Sequence, residues 1–239
     1  MGKLLEDFLE SEKTSKRYEI KFVIHNLSEK EVHAIIRNNP AMFSEIYKQR
    51  QVNNIYFDTP SMRNYVENVS GNHKRLKVRI RWYGAFFGFI EKPVLELKIR
   101  TGSLVSKLSY PLNPFKMQKS FSFMMIKKEI FAKSKLPDWV REKLYCLLPV
   151  LFNAYKRRYF LSSDKKYRIT IDTDLCFFAA KNQTNKFLAK TEYPHIIIEL
   201  KFAPEDLDQA HHLTQFFPFR INKSSKYVAG VELMESTFA

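Results

Sequence analysis

A strict alternation of basic and apolar residues along residues 73–82 restricts the fold of this chain more than any other feature of its sequence. Every second position from His73 to Arg81 carries a basic side chain, and the positions between them, from Leu76 to Trp82, are apolar. Consecutive side chains of a β-strand point to opposite faces of its sheet. The segment is therefore predicted to be a strand with one cationic face and one apolar face.

Seven further segments are predicted to be strands, which brings the total to eight. Clear alternation marks residues 17–22, 94–100, 166–172 and 196–202, and weaker alternation marks residues 50–57, 104–111 and 154–161. Short links at Thr101-Gly102-Ser103 and at Asp164-Lys165 join two pairs of these strands. Links of this length are typical of hairpins, so neighbouring strands are expected to be antiparallel.

Helices are predicted between the strands. Ser28 and Glu31 have the spacing of a capping box, and the helix that they begin should end near Pro40. The other predicted helices cover residues 116–133, 137–149, 204–217 and 224–235. Because no repeat or linker divides the chain, it is predicted to be a single domain over residues 1–239, with a core of about residues 17–235.

The charge of the chain indicates an anionic partner. Forty Lys and Arg residues against 25 Asp and Glu residues give a net charge of +15, which is compatible with nucleic acid, a membrane surface or phosphates. A solvated sheet face also alternates, and for any one strand that is the common case. Basic residues two positions apart on a strand, such as Arg79 and Arg81, lie roughly 6.6 Å apart and repel by about 2.5 kcal/mol at an effective dielectric constant of about 20. An anion that neutralises them is therefore expected.

The pattern predicts an α+β fold with antiparallel strands. If the eight strands close into a barrel with their apolar faces outward, the helices would pack around the outside and the basic residues would line the lumen. Such a lumen admits little more than side chains or a slim ligand. Phosphates pair well with arginines and carboxylates can hold a divalent metal, so a linear phosphate chain fits and duplex nucleic acid does not.

Eight short motifs occur in a fixed order along the chain. They are Arg17-Tyr-Glu-Ile-Lys21, Ile55-Tyr-Phe-Asp-Thr59, Lys77-Val-Arg-Ile-Arg-Trp-Tyr-Gly84, Leu95-Glu-Leu-Lys98, Tyr155-Lys-Arg-Arg158, Arg168-Ile-Thr-Ile-Asp172, Glu199-Leu-Lys201 and Ser225-Lys-Tyr227. In this order they resemble the VTC domain, the catalytic domain of polyphosphate polymerases, which belongs to the CYTH or triphosphate tunnel metalloenzyme superfamily. The resemblance extends from about Arg17 to Glu235. It implies a closed eight-stranded antiparallel β-barrel with helices packed around its outside, a tunnel that binds triphosphate or polyphosphate with a divalent metal.

The resemblance implies roles for individual residues. Arg79 and Arg81 resemble the arginine pair that grips the triphosphate of a nucleotide, and Glu199 resembles the metal-binding glutamate of the family. The other tunnel cations would be Lys21, Lys98, Lys107, Arg157 and Arg168, while Lys223, Ser225 and Lys226 match the phosphate-contacting stretch before the last helix. Tyr155 is expected near the nucleotide, and Lys77 and Lys201 join the substrate-binding set as cations of the same strands. Asp172 is predicted either to join Glu199 at the metal or to pair with Arg168.

The activity implied by the resemblance is transfer of the terminal phosphoryl group of ATP to a growing polyphosphate chain, with Mn²⁺ or Mg²⁺. A metal-dependent triphosphatase and a non-catalytic module that binds polyphosphate or nucleic acid are the alternatives. The first strand has Arg17 where the superfamily signature begins with Glu, a change that VTC-type members tolerate and hydrolase-like members usually do not. ATP and polyphosphate are the expected partners, nucleic acid is not, and any membrane-protein partner is not visible in the sequence.

The protein is expected to be cytoplasmic. Its two cysteines, Cys146 and Cys176, are too few for a disulfide framework. Acidic residues near the start replace the basic and then apolar segments of a signal peptide.

Overall fold

A large antiparallel sheet lies at the centre of the computed structural model, which describes residues 17–102, 104–118, 122–180 and 190–236. The strands in chain order are β1 (Tyr18–Ile24), β2 (Ser44–Asp58), β3 (Lys74–Tyr83), β4 (Gly88–Ile90), β5 (Val94–Thr101), β6 (Leu104–Pro111), β7 (Phe115–Met117), β8 (Leu148–Leu161), β9 (Arg168–Ala179), β10 (Lys190–Tyr193) and β11 (Ile196–Phe202). Nine of them form the sheet, in the order β1-β11-β9-β8-β2-β3-β5-β6 with β10 paired to β9. β4 and β7 form a separate two-stranded sheet.

The eight predicted strands are confirmed, and they are the eight strands of the main order. The two predicted hairpins are also confirmed, because β5 pairs with β6 and β8 pairs with β9, both antiparallel; Ser103 of the first link lies outside the described residues. β2 and β8 are longer than predicted, with 15 and 14 residues. The sequence analysis missed β4, β7 and β10, which have only three or four residues each and so too few positions to show alternation.

Six α-helices accompany the sheet in the described part of the chain. They are α1 (Glu29–Arg37), α2 (Arg63–Val69), α3 (Phe123–Met125), α4 (Asp138–Tyr145), α5 (Leu207–Thr214) and α6 (Lys226–Ser236). The capping box of α1 is confirmed: the Ser28 side chain accepts from the Glu31 amide, and the Glu31 carboxylate accepts from the Ser28 amide at 2.8 Å. Within the described ranges, no helix has the length and apolar character that crossing a bilayer requires.

Two helix predictions were wrong in their extent. The first two residues of the helix expected over 116–133 belong to β7 instead, because Phe115 and Met117 are buried while Lys116 between them is exposed. The remainder is α3 followed by a π-helix over Ile126–Phe131, and residues 119–121 lie outside the described residues. The helix expected over 137–149 ends at Tyr145, since the chain from Leu148 onward pairs with β2.

The apolar faces of the strands pack against helices and the small sheet. One core joins Val78, Ile80 and Trp82 of β3 to the π-helix and α4. A second core joins Ile169 and Ile171 of β9 to α1 and α5. The basic residues between these apolar positions consequently lie on the other face of the sheet.

The two edge strands of the sheet approach each other. An antiparallel bridge links Arg17, just before β1, to Val105 of β6. On the same side, Lys98 Nζ of β5 lies 2.7 Å from a carboxylate oxygen of Glu19 in β1. The sheet therefore curves so far that its first and last strands are in contact.

Helix α6 does not lie on the outside, which corrects the prediction that the helices pack only there. Tyr227, Val231 and Met234 of α6 pack with Tyr56 and other residues on the inner side of the strands. The Tyr227 ring stacks on Tyr56 with 5.2 Å between ring centroids. Because Tyr56 also contacts Arg79, α6 shares a face of the sheet with the basic residues.

Candidate functional site

The face of the sheet opposite the two outer cores, called the charged face below, gathers basic and acidic side chains from seven of the eight strands in the main order, together with one lysine from α6. Its basic residues are Lys21, Lys77, Arg79, Arg81, Lys98, Lys107, Arg157, Lys201 and Lys226, and its carboxylates are Glu19, Glu96, Asp172 and Glu199. The set thus contains nine cationic side chains and four anionic ones. The alternation of the strands brings these residues together, because each lies on the side opposite an apolar neighbour.

Glu96 is the centre of the first cluster. Arg79 Nη2 lies 2.6 Å from its Oε2, Arg81 Nη1 lies 3.6 Å from the same oxygen, and Lys107 Nζ lies 3.0 Å from Oε1. Burial alone would raise the pKa of Glu96, but the three cations hold that pKa well below its ordinary value. Glu96 is therefore an anion that holds the arginine pair in place.

The arginine pair is fixed by neutral groups as well. Arg79 Nη1 donates to the Tyr56 hydroxyl at 3.2 Å. Arg81 donates from Nε to the Asn54 side-chain oxygen Oδ1 at 2.9 Å and from Nη2 to the Tyr155 hydroxyl at 3.1 Å. These contacts orient the two guanidinium groups before any ligand binds, and they place Tyr155 directly beside the pair.

Asp172 and Glu199 form the second cluster. Arg157 makes a two-pronged contact with Asp172 at 2.5 and 2.6 Å, and Lys226 Nζ lies 2.5 Å from Asp172 and 3.5 Å from Glu199. Lys201 Nζ is 2.8 Å from Glu199. Burial opposes ionisation of both acids, but these neighbouring cations hold the pKa of each below its usual value.

The predicted pairing of Asp172 with Arg168 is wrong, because the partner of Asp172 is Arg157. Cross-strand register decides this: Arg157 of β8 lies directly opposite Asp172 of β9. Arg168 lies four residues away from Asp172 along its own strand, at an exposed position.

A third group joins the start of α6 to the strands. Lys77 Nζ donates to the Ser225 hydroxyl at 2.8 Å, and Lys21 Nζ donates to the Ser224 carbonyl at 3.0 Å. Ser225 also accepts from the Val228 amide, so its hydroxyl caps the first turn of α6. Burial, together with the like charges of Lys21 and Lys98, lowers the pKa of Lys77 well below its ordinary value.

Lys98 and Glu19 connect the two edges of the sheet. The Lys98 ammonium lies 2.9 and 2.7 Å from the two oxygens of the Glu19 carboxylate. Burial lowers the pKa of Lys98 to about 8, although Glu19 acts in the opposite direction. For Glu19, burial raises the pKa, but Lys98 together with Lys201 and Lys21 outweighs it, and the result is a pKa of about 2.

Most of the predicted site residues thus lie together, and two lie apart. Arg168 and Lys223 are exposed, outside the three clusters. Lys107 contacts Glu96, but half of its side chain is accessible to solvent. The roles predicted for all of these residues remain predictions, since proximity alone does not identify a ligand.

Sequence reasoning gave no role to Asp58, which is completely buried. Its carboxylate accepts from the backbone amides of Asn64 and Tyr65 at the start of α2 and from the Tyr227 hydroxyl of α6. It therefore holds two helices against the end of β2. Its place in the Ile55–Thr59 motif was the available signal, and only the tertiary contacts give that motif a physical meaning.

Comparison with known proteins assigns the chain to a family. The sequence profile of the VTC domain matches residues 16–235. No curated protein matches the chain at the level of sequence.

Several solved structures are similar in outline to this chain. A candidate adenylate cyclase from Vibrio parahaemolyticus has 10% sequence identity and a TM-score of 0.48, and the alignment covers 87% of this chain and 94% of that one. The PH1819 protein from Pyrococcus horikoshii has 14% sequence identity and a TM-score of 0.46, and the alignment covers 92% of this chain and 99% of that one. The Mimivirus capping enzyme triphosphatase has 13% sequence identity and a TM-score of 0.40, and the alignment covers 90% of this chain and 94% of that one.

The family assignment rests on the domain match, which extends over nearly the whole chain and includes every cluster of the charged face. The chain belongs to the VTC domain family.

Proposed function

We propose that this chain is a polyphosphate polymerase, which transfers the terminal phosphoryl group of ATP to a growing polyphosphate chain inside a cationic tunnel. In this proposal residues 1–239 make up one tunnel domain. Membership of the VTC family supports the activity. The excess of basic over acidic side chains on the charged face supports a phosphate chain as the ligand.

The observation that carries the proposal is the excess of cations on the charged face. Nine lysines and arginines accompany only four carboxylates there, so basic groups outnumber acidic ones by five within that set. Charges held this close in a partly desolvated site are costly unless an anion joins them. A chain of phosphates supplies closely spaced negative charges in a linear arrangement.

The approach of the two edge strands supports a tunnel rather than an open groove. The bridge from Arg17 to Val105 and the ion pair from Glu19 to Lys98 both cross the line where β1 meets β6. In this proposal the line is closed, and the eight strands of the main order surround the charged face as a barrel. A barrel of eight strands has an interior that a slim ligand fills.

The chemistry required of the protein is positioning and charge neutralisation. Phosphoryl transfer spreads negative charge over the transferred group and needs little covalent help. The attacking group in chain extension is a phosphate oxygen that is already ionised at neutral pH, so no general base is required. We assign binding of the triphosphate to Arg79, Arg81, Lys98 and Arg157 of the charged face, while the role of Arg168, which is exposed outside the three clusters, stays a prediction.

A divalent metal fits this site only in partnership with the substrate. Among the described residues, no group of three or more His, Cys, Asp or Glu side chains is arranged to hold a metal ion. Glu199 and Asp172 both contact Lys226 Nζ and therefore lie close together, and Mg²⁺ is commonly held by one or two carboxylates plus substrate phosphates. Glu199, with Asp172, would hold Mn²⁺ or Mg²⁺, which would neutralise charge on the phosphates.

The deciding assay incubates the purified protein with ATP and Mn²⁺ and separates the products by gel electrophoresis. Long polyphosphate chains are the expected product. Release of free phosphate alone would replace the proposal with a triphosphatase, and binding without any turnover would replace it with a non-catalytic phosphate-binding module.

The first prediction concerns Glu199. Substitution Glu199→Gln removes the charge that a metal requires and is expected to lower metal-dependent turnover at least about a hundredfold, a typical loss when one electrostatic contact in an active site is removed. Binding of triphosphate, measured by calorimetry, should persist because the surrounding cations remain. Glu142→Gln, at an exposed position on α4, is the matched control. Normal turnover by the Glu199 variant would show that the metal assignment is wrong.

A further inference from the structure

Three tyrosines and one arginine form a cluster at one end of the charged face, called the aromatic rim below. The guanidinium of Arg50 lies 4.7 Å from the ring centroid of Tyr47, 5.9 Å from that of Tyr83 and 5.7 Å from that of Tyr159. Tyr47 and Tyr159 also meet edge to face, with 5.7 Å between their centroids. The cluster brings together β2, β3 and β8, three neighbouring strands of the sheet.

The aromatic rim continues the rows of residues that form the charged face. Tyr83 follows Arg81 by two residues on β3, and Tyr159 follows Arg157 by two residues on β8, so each ring lies on the same face as its arginine. A step of two residues along a strand is roughly 6.7 Å. The rings therefore begin where the triphosphate-gripping arginines end.

The aromatic rim lies at the end of the charged face away from α6. Along β2, Tyr56 stacks on Tyr227 of α6, whereas Tyr47 and Arg50 lie at the beginning of the same strand. Helix α6 thus covers one end of the site, and the aromatic rim borders the other. A ligand whose phosphates lie among the arginines has its remaining part next to the rim.

The rings of the aromatic rim are accessible to a ligand. Tyr47 is 50% exposed and Tyr83 is 49% exposed, although large aromatic side chains usually bury most of their surface. Exposed aromatic faces together with an arginine plane are the groups on which proteins stack nucleobases. Stacking on ring faces accepts any base, because every base has an aromatic face.

We propose that the aromatic rim formed by Tyr47, Arg50, Tyr83 and Tyr159 is a stacking platform for the base of a nucleoside triphosphate. This inference rests on the proposed function, since it assumes that the triphosphate lies among Arg79, Arg81 and Arg157. It adds that the substrate is recognised at two places, by its phosphates on the charged face and by its base on the rim. ATP and GTP should consequently bind with similar affinities, because stacking does not depend on the base edge.

The test compares two ligands that differ only in possessing a nucleoside. Calorimetric titrations with ATP and with inorganic triphosphate are made on the natural chain, on Tyr83→Leu and on Tyr83→Phe. Loss of the ring in Tyr83→Leu is expected to weaken ATP binding about tenfold, the effect of removing one aromatic partner from a stacked base. Inorganic triphosphate should bind that variant as it binds the natural chain, and Tyr83→Phe should retain the ATP affinity because it keeps the ring.

Control variants distinguish a failure of the stacking platform from a failure of the proposed function. Tyr145→Leu removes an even more exposed tyrosine on the distant helix α4 and should change neither affinity. Tyr47→Leu provides a second rim variant if Tyr83→Leu does not fold, as judged by thermal melting. Unchanged ATP affinity in the rim variants, or equal losses for both ligands, would overturn the platform while leaving the tunnel intact. Failure of the natural chain to bind either ligand would overturn the proposed function together with the platform.

Discussion

At the scale of single residues, the charged face resolves the repulsion between its cations by sharing carboxylates. Arg79 and Arg81 both contact Glu96, and Arg157 and Lys226 both contact Asp172. Each shared acid holds at least two basic groups at fixed positions and leaves part of their charge for a ligand. Lys77 is different, since the described contact of its ammonium is the neutral Ser225 hydroxyl.

The pKa of about 8 for Lys98 predicts a pH-dependent affinity for triphosphate. A polyanion favours the charged ammonium, so its binding raises the pKa of Lys98. Below about pH 7 the group is already protonated and the affinity does not depend on it. As the pH rises above about 8, binding must take up a proton, and the affinity should fall by up to about tenfold per pH unit.

Calorimetry of triphosphate binding in buffers of different ionisation enthalpy measures this proton uptake directly. Lys98→Arg, which keeps the charge at every accessible pH, should abolish the uptake that belongs to this residue. If the affinity of the natural chain were constant between pH 7 and 9.5, Lys98 would not be in contact with the ligand.

At the scale of elements, α6 connects the end of the chain to the site. Its first residue, Lys226, contacts both Asp172 and Glu199, and its second, Tyr227, donates to the buried Asp58. Further along the helix, Gly230 packs directly on β8 and β9. The position of Lys226 therefore depends on how closely the helix approaches those strands.

Substitution Gly230→Ala is predicted to weaken this packing. A Cβ atom at residue 230 would overlap Leu151 Cδ2 and lie 2.5 Å from Phe177 Cδ1. Alanine normally stabilises a helix relative to glycine by about 1 kcal/mol, but overpacking of a core costs about 1–3 kcal/mol. The net expectation is a loss of up to about 2 kcal/mol in the free energy of unfolding, together with weaker triphosphate binding.

Urea titrations and calorimetry measure the two effects of Gly230→Ala. Glu232→Ala, at an exposed position of the same helix, should leave both quantities nearly unchanged. An increase in stability for Gly230→Ala would show that α6 does not approach β8 and β9 as closely as described.

At the scale of the whole molecule, the net charge of +15 and the excess of cations at the site both oppose the compact state. An anion that binds only the folded chain should therefore stabilise it. At a concentration of one hundred times its dissociation constant, inorganic triphosphate is expected to add about 2.7 kcal/mol to the free energy of unfolding. For a chain of this size that corresponds to a rise of about 5–10 °C in Tm.

Thermal melting with and without triphosphate tests this expectation, and repeating the melts at higher salt tests its electrostatic origin. The rise in Tm should shrink as salt increases, because screening weakens the attraction of an anion to the site. Orthophosphate at the same concentration should produce a smaller rise, since one phosphate reaches fewer of the cations. Equal effects of the two anions would argue against a site built for a linear phosphate chain.

Much of the fold and part of the site could be predicted from local patterns. The eight strands of the main order follow from alternation, and the start of α1 follows from Ser28 and Glu31, because both signals depend only on neighbouring residues. The three-residue strands β4 and β7 could not be predicted, since their pairing depends on contact between segments about 25 residues apart. The pairing of Asp172 with Arg157 depends likewise on the register between two strands.

By itself, the sequence determined that this chain forms amphipathic strands with basic residues confined to one face, because side-chain direction along a strand is fixed by the backbone. Only the tertiary structure decided which acid restrains which cation, that α6 lies against the charged face, and that Tyr47, Arg50, Tyr83 and Tyr159 meet at one end of it. The physical reason is that these contacts join residues far apart in the chain. Their geometry is set by strand register and by the curvature of the sheet, and neither is encoded in any single segment.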